Sequence, residues 1–246
     1  MDVYGIIGHP LGHSFSKSYF EEKFRRENLA CIFHNFDIDN INLIRQIIND
    51  TPRLKGFTVT IPYKELIMPL LDSVDKEALA IGAVNVVKVV DGKLIGYNTD
   101  VVGFDKSLRE ALYERKAKKA LVLGTGGASK AVLHVLKRHN ITTSLVSRLS
   151  QEGILSYDVI DDEVIRQHTL IINTTPLGMY PHVDTFPSIP YGAITTEHIL
   201  IDLVYNPEET AFMRRGRKQG ARTMNGILML HAQAEEAWRI WNNEKR

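Results

Sequence analysis

One stretch constrains the fold of this chain more than any other: Lys119-Ala-Leu-Val-Leu-Gly-Thr-Gly-Gly-Ala-Ser-Lys-Ala131. Ala120 to Leu123 is a short apolar run with the composition of a buried strand. Gly124, Gly126 and Gly127 then permit a tight turn, and Ala128 to Leu136 sets small and apolar residues at helical spacing. Strand, glycine turn and helix, in that order, are how an α/β sheet presents backbone N–H groups to a pyrophosphate at a helix N-terminus. Glycines also make ordinary turns. The strand-to-helix context is what turns this one into a dinucleotide-binding expectation. The remainder of the chain then has to supply a substrate.

Composition removes several classes of function. The net charge is +1, from 30 Lys+Arg and 29 Asp+Glu, so neither a nucleic-acid nor a membrane-surface partner is expected. Hydrophobic residues make up 44% of the 246, enough to fill ordinary cores in one large or two modest domains. Cys31 is the sole cysteine, which rules out an internal disulfide framework and suits a reducing compartment. The stretch Met1-Asp2-Val3-Tyr4 lacks a basic n-region and a signal-like apolar run, and no segment is apolar for long enough to span a bilayer. The expectation is a cytoplasmic globular protein, monomer or homodimer.

Val3 to Gly8 reads as a strand that ends in a loop rich in breakers and hydroxyls, Gly8-His-Pro-Leu-Gly-His-Ser-Phe-Ser16. Ser16 is placed to cap a helix over Tyr19 to Asn28. Ser14 and Ser16 are two apart and point the same way in an extended segment, which suits a carboxylate ligand as well as it suits a turn and a cap. His9 and His13 are four apart, but Pro10 and Gly12 intervene, so no metal site is expected. Cys31 to Phe36 is a second strand, and Ile41, Ile44 and Ile48 form a helical stripe; the alternation argues for a largely parallel α/β sheet. Thr58 and Thr60 share a face of the next strand, and Pro62 opens a helix running through Leu71 with Lys64 in its first turn. A lysine there opposes the helix dipole, so it is either a solvated side chain or a group kept beside a reacting carbonyl. Asp91-Gly92 marks a hairpin, after which Asp100 lies at a strand-to-helix junction as a cap or a functional carboxylate.

Beyond the glycine turn, Ile141 to Val146 is the next strand. In an NAD-specific Rossmann unit an acidic residue about 20 positions past the glycines holds the ribose hydroxyl. Here Ser144-Leu-Val-Ser-Arg-Leu-Ser150 has no acid. Arg148 stands where a 2′-phosphate would lie and Ser147 adds a hydroxyl, which favours NADP over NAD. Asn173 and Thr174 end a further strand where they can border the cofactor, Ile199 to Val204 is the last apolar strand, and Glu208 to Arg217 reads as a helix. A final helix from Gly226 to Asn242 carries Ile227, Leu230, Ala234, Trp238 and Trp241 as its apolar stripe, with Met229 and Gln233 on an adjacent face.

These motifs, taken in order with Gly82-Ala-Val-Asn85, Tyr97-Asn-Thr-Asp100-Val-Val-Gly103, Asp202-Leu-Val-Tyr-Asn-Pro207 and Gly226-Ile-Leu-Met-Leu-His-Ala-Gln233, resemble the shikimate dehydrogenase family across nearly the whole chain. The resemblance implies two α/β domains: a substrate domain over 1–101 and 220–246, and a Rossmann-type NADP-binding domain over 102–219, with the C-terminal helix returning to the first. It implies reversible NADPH-dependent reduction of 3-dehydroshikimate to shikimate in aromatic amino-acid biosynthesis, with Lys64 and Asp100 as the catalytic pair. Ser14 and Ser16 match the substrate-carboxylate positions. Thr60, Asn85 and Gln233 match the ring-hydroxyl contacts, with Tyr205 nearby. Gly124, Gly126, Gly127 and Ala128 match the pyrophosphate loop and Arg148 the 2′-phosphate arginine, while Ser147 and Leu149 stand where the family has asparagine and threonine. Met229 matches a cofactor-lining position, and Asn173, Thr174 and Gly226 are expected to border the cofactor with it. Thr58 stands where the family has asparagine, and Val86 where it has threonine. An NAD-using quinate/shikimate dehydrogenase and a non-catalytic ligand-binding paralogue are the alternatives.

Overall fold

The computed structural model describes residues 1–12, 15–149 and 151–243. The chain divides into two compact units, Met1–Thr99 with Ala234–Arg246 and Asp100–Gln233. The first contains β1 (Asp2–Gly8), α1 (Phe15–Arg26), β2 (Cys31–Asp37), α2 (Ile44–Asp50), β3 (Leu54–Val59), α3 (Tyr63–Leu66), β4 (Ser73–Val74), α4 (Lys76–Ile81), β5 (Val86–Val90) and β6 (Lys93–Tyr97). Its sheet has the order β2-β1-β3-β5-β6-β4 among the described residues. β1 runs parallel to β2 and β3, whereas β5 is antiparallel to β3 and also to β6, with which the Asp91-Gly92 turn folds it into a hairpin.

Alternation along β1 sorts its side chains to two cores. Val3 and Ile7 join Ile44, Phe57, Ile67 and Val87 on one face. Tyr4 and Ile6 join Phe20, Phe24, Phe33 and Val86 on the other, where Ala234, Ala237, Trp238 and Trp241 complete the packing. Those four residues belong to α9 (Ile227–Trp241), which begins in the second unit and ends in the first. Trp241 is seated tightly. Its indole N–H donates to the carbonyl of Val87 at 3.0 Å, and a Cβ on Gly56 would lie 2.3 Å from its ring. Lys88 closes the end of the helix. Its buried ammonium donates to the Ile240 carbonyl at 2.7 Å and to Asn243, placing a cation at the negative pole of α9, and burial lowers its pKa.

The second unit holds α5 (Asp100–Ala111), β7 (Lys119–Leu123), α6 (Gly127–Arg138), β8 (Thr142–Ser147), β9 (Ile154–Ser156), α7 (Asp162–Gln167), β10 (Leu170–Asn173), β11 (Ile199–Asp202), α8 (Ala211–Lys218), β12 (Arg222–Met224) and the first part of α9. Its strands are all parallel, in the order β12-β11-β10-β7-β8-β9. Counted from β7, this is the 3-2-1-4-5-6 order of a doubly wound dinucleotide-binding sheet, with its topological switch point between β7 and β10. Leu121, Leu123, Ile171, Leu200 and Phe212 fill one of its faces. No helix among the described residues is long and apolar enough to cross a membrane.

Three helices differ from the sequence expectation. The helix opened by Pro62 stops at Leu66 and gives way to a 3-10 turn over Met68–Leu70. Pro69 has no N–H to continue the ladder and its ring would meet the carbonyl four residues back. α1 starts at Phe15, so Ser16 lies buried inside the first turn instead of capping it. α8 starts at Ala211, later than expected, because the Thr210 hydroxyl accepts from the Met213 N–H at 3.3 Å and serves as its cap.

The seat of Trp241 sets a stability test. Trp241→Ala is expected to lower the unfolding free energy by about 3–5 kcal/mol in urea titrations followed by circular dichroism. Trp241→Phe keeps most of the packing and removes the indole hydrogen bond to the Val87 carbonyl, and is expected to lose about 0.5–1.5 kcal/mol. Equal losses for the two variants would mean that the indole hydrogen bond, not the packing, holds the helix end.

Candidate active site

In the first unit the candidate residues lie at the C-terminal ends of β1 and β3 and on the segments that follow. Gly8 lets the two ends approach: a Cβ there would lie 2.5 Å from the Thr60 methyl. The backbone N–H of Thr60 donates to Ile7 at 2.9 Å, and that of His9 to Ile61 at 3.1 Å. Asp37, at the end of β2, accepts from the Leu11 N–H at 3.0 Å and lies 2.8 Å from His9 Nδ1. These contacts, His9 first, hold its carboxyl below the usual carboxylate range. The loop after β1 is thus tied at both sides. Ser16 follows it on α1 and is buried. Ser14 lies outside the described residues.

Lys64 is half-buried in the first turn of α3. Its neighbour Tyr63 is buried and donates its hydroxyl to the Ile38 carbonyl at 2.6 Å. The carbonyl of Lys64 accepts from the Val84 N–H at 2.7 Å, which fixes its backbone against the Gly82–Asn85 segment. Asn85 is buried and engages Thr99 with both ends of its amide. Its Oδ1 accepts from the Thr99 N–H at 2.7 Å, and its Nδ2 donates to the Thr99 hydroxyl at 3.0 Å. Thr99 precedes Asp100, and Asn98 on the other side donates to the Ala83 carbonyl at 2.9 Å. The turn that leads to Asp100 is therefore built on the Gly82–Asn85 segment, which also ties the backbone of Lys64.

In the second unit Asp100 is the first residue of α5 and is buried. Gly103, one turn on, lets α9 come close: a Cβ there would lie 2.5 Å from the carbonyl of Met229, which is buried. Gly226 lies against the end of β11, where a Cβ would fall 2.1 Å from the Leu203 carbonyl. Gln233 is buried and donates to the Leu230 carbonyl at 3.0 Å. Burial raises the pKa of the Tyr205 hydroxyl.

The glycine turn lies at the switch point. Gly124 has φ 109, outside the region that other residues adopt, and a Cβ there would meet the Thr174 hydroxyl at 2.7 Å. Gly126 precedes α6 with no side-chain cap, and a Cβ there would meet nothing within 4 Å. Gly127 and Ala128 open the helix. Open space before an uncapped N-terminus of a 12-residue helix fits a pyrophosphate. Thr174 borders the turn, donating from its N–H and its hydroxyl to the Leu123 carbonyl at 2.9 and 2.8 Å. At the end of β8, Ser147 exchanges hydrogen bonds with the backbone of Leu149 at 3.0 and 3.2 Å. This turn leaves Arg148 exposed, with no ion-pair partner among the described residues. Exposed arginine and no carboxylate at that strand end fit a 2′-phosphate.

Sequence reasoning missed the groups beneath these loops. Asp37 was hidden because it is remote in sequence from the loop it ties. Asp202 and Thr210 are both buried with Asn173: Asn173 Nδ2 donates to Asp202 Oδ1 at 2.9 Å and the Thr210 hydroxyl to Oδ2 at 2.6 Å. Burial pushes the Asp202 carboxyl up to about 6 against the pull of its donors.

The profile of the shikimate dehydrogenase substrate binding domain matches residues 6–87. A protein of Methanococcus maripaludis named shikimate dehydrogenase (NADP(+)) is 38% identical, over 98% of this chain and 92% of its own. The shikimate dehydrogenase of Aquifex aeolicus has a solved structure that matches with TM-score 0.87 at 35% identity, over 98% of this chain and 92% of its own. That of Thermus thermophilus, solved in complex with NADP(H) and shikimate, matches with TM-score 0.87 at 30% identity, over 99% and 94%. With this likeness running through both sheets and the loops just described, the chain belongs to the shikimate dehydrogenase family.

Proposed function

We propose that this chain catalyses the reversible NADPH-dependent reduction of 3-dehydroshikimate to shikimate, a step of aromatic amino-acid biosynthesis. One observation carries the reading: a chain that matches shikimate dehydrogenases over nearly its whole length keeps a lysine in the first turn after β3 and a carboxylate at the head of α5.

Reduction of a ketone builds negative charge on its oxygen, so a proton donor or a fixed cation has to stand beside that atom. When bound, the nicotinamide supplies the hydride. Lys64 is the group assigned to the oxygen, holding both a proton and a positive charge there. The backbone tie to Val84 and the packing of Tyr63 hold its helix in place, so little is reorganised as charge develops. Asp100 orients the lysine by charge and accepts from a ring hydroxyl. Ser14 and Ser16 donate to the substrate carboxylate. Thr60, Asn85 and Gln233 contact the ring hydroxyls, and Tyr205 lies beside them. Gly124, Gly126, Gly127 and Ala128 bind the pyrophosphate. Arg148 and Ser147 bind the 2′-phosphate, and Asn173, Thr174, Gly226 and Met229 line the dinucleotide.

Lys64→Ala is expected to lower kcat for shikimate oxidation by roughly 10²–10⁴-fold with an unchanged unfolding midpoint. A folded alanine variant with wild-type kcat would remove Lys64 from the mechanism. Arg148→Ala is expected to raise KM for NADP⁺ about tenfold or more while leaving NAD⁺ kinetics within about twofold. Initial rates with each cofactor check this. Equal efficiency of the wild type with NADP⁺ and NAD⁺ would overturn the role given to Arg148.

A further inference from the structure

Behind the glycine turn lies a polar cluster, of which the proposed reaction assigns a role to Asn173 and none to Asp202 or Thr210. Asn173 ends β10 and Asp202 ends the adjacent β11; with Thr210 they are fully buried. Asp202 Oδ1 accepts from Asn173 Nδ2 at 2.9 Å and from the Val204 N–H at 3.0 Å, and Oδ2 accepts from the Thr210 hydroxyl at 2.6 Å. Every donor is neutral. A carboxylate in this position is expensive to bury.

The chemistry of the groups says what the carboxylate does. An ionised carboxylate only accepts hydrogen bonds, whereas an asparagine amide has a donor end and an acceptor end of the same shape. Facing Asp202, the Asn173 amide must present its NH₂. Its oxygen is then turned to the loop beyond β10, where it accepts from the Thr175 N–H at 3.0 Å and the Thr175 hydroxyl at 2.6 Å. The reverse orientation would set the NH₂ against the Thr175 N–H, donor to donor. Thr175 and its neighbour Thr174 are the residues that wall the glycine turn: a Cβ on Gly124 would lie 2.7 Å from the Thr174 hydroxyl and 2.9 Å from the Thr175 methyl.

We propose that Asp202 is a positioning residue for the dinucleotide site, which fixes the orientation of the Asn173 amide and through it the Thr174–Thr175 wall beside Gly124. The proposal rests on the reading of this turn as the NADP(H) site. Asp202 touches no cofactor; it acts two hydrogen bonds away.

The experiment compares Asp202→Leu, Asp202→Asn, Asn173→Ala, Asn173→Asp and the double variant Asp202→Leu/Asn173→Ala at pH 8. NADPH titrations by fluorescence and initial rates with NADP⁺ and shikimate are the readouts. Asp202→Leu is expected to weaken NADPH binding and raise KM for NADP⁺ roughly tenfold, with KM for shikimate and kcat within about threefold. Asp202→Asn presents an oxygen to Asn173 and an NH₂ to Thr210, and is expected to restore binding to within about threefold of wild type. The double variant is expected to be no worse than Asn173→Ala, because the two residues act in series. Asn173→Asp opens no cavity but sets acceptor against acceptor, and is expected to weaken NADPH binding as Asp202→Leu does. It decides the matter if Asp202→Leu does not fold. Wild-type NADPH affinity in a folded Asp202→Leu or in Asn173→Asp overturns the proposal, as do additive losses in the double variant. Wild-type protein that does not bind NADPH at all overturns the cofactor reading and the proposal with it; wild-type protein that binds beside variants that bind equally overturns the role of Asp202 alone.

Discussion

The backbone N–H of Thr174 donates to the carbonyl of Leu123, and with it the pairing of β7 and β10 continues one residue past the end of the strands. Beyond that bond the two chains must part, since one turns into α6 on one side of the sheet while the other enters a long connection. A crevice at this point is a consequence of strand order, not of any particular side chain. What the side chains decide is how narrow its walls stand. Gly124 removes the Cβ that would strike Thr174, and Gly126 leaves the head of α6 open. The helix then presents N–H groups that no side chain has capped. The polar crevice and the apolar sheet under it are one construction, because Leu121, Leu123 and Ile171 are held in register by the ladder that stops there.

The first unit reaches a comparable result by other means. Its sheet mixes directions, and the hairpin of β5 and β6 brings Tyr97 beside Val86. That pairing returns the chain to the Gly82–Asn85 segment, to which the Lys64 backbone is tied, so residues far apart in sequence are built on common hydrogen bonds from Asn85. An asparagine suits this place because one side chain can satisfy a backbone donor and a hydroxyl at once. The apolar side of the same unit is stiffened by aromatic contact, with Tyr4 ringed by Phe24, Trp238 and Trp241 at 5.8, 5.2 and 5.0 Å between centroids.

Much of this was legible in the sequence, for physical reasons that differ by residue. The glycine turn was legible because positive φ and an open helix head demand glycine, and because the apolar run before it is short enough for a strand. For Arg148 the sequence shows only what is missing, an acid at the end of β8, and its part in cofactor choice is a proposal. The short elements β9, α7 and β12 were not, since three to six residues carry no period that can be told from a loop. Ile227 was placed on the apolar stripe of α9, yet it is exposed, because the first residue of a helix has no preceding turn to lie over. In the sequence Asp202 stands out only as the first residue of Asp202-Leu-Val-Tyr-Asn-Pro207. Its significance lies in the register of β10 with β11, which sets it opposite Asn173, and register between strands 29 residues apart is invisible to local pattern.

Two buried oxygens show how the substrate-side scaffold departs from a satisfied core. Thr58 Oγ1, on β3, and Asn98 Oδ1, beside the Thr99 clamp, have no hydrogen-bond partner among the described residues. A buried orphan of this kind costs about 1–3 kcal/mol. A valine in place of Thr58 would have nearly the same shape without that cost, so packing alone does not account for a hydroxyl there. Asn98 is constrained differently: its Nδ2 is committed to the Ala83 carbonyl, and that commitment is what leaves its oxygen turned inward. In both cases the polar atom belongs to a segment that leads directly to a proposed site residue, Thr60 in one and Asp100 in the other, whereas the other two such oxygens among the described residues, Ser107 Oγ and the Tyr157 hydroxyl, lie on α5 and just before α7.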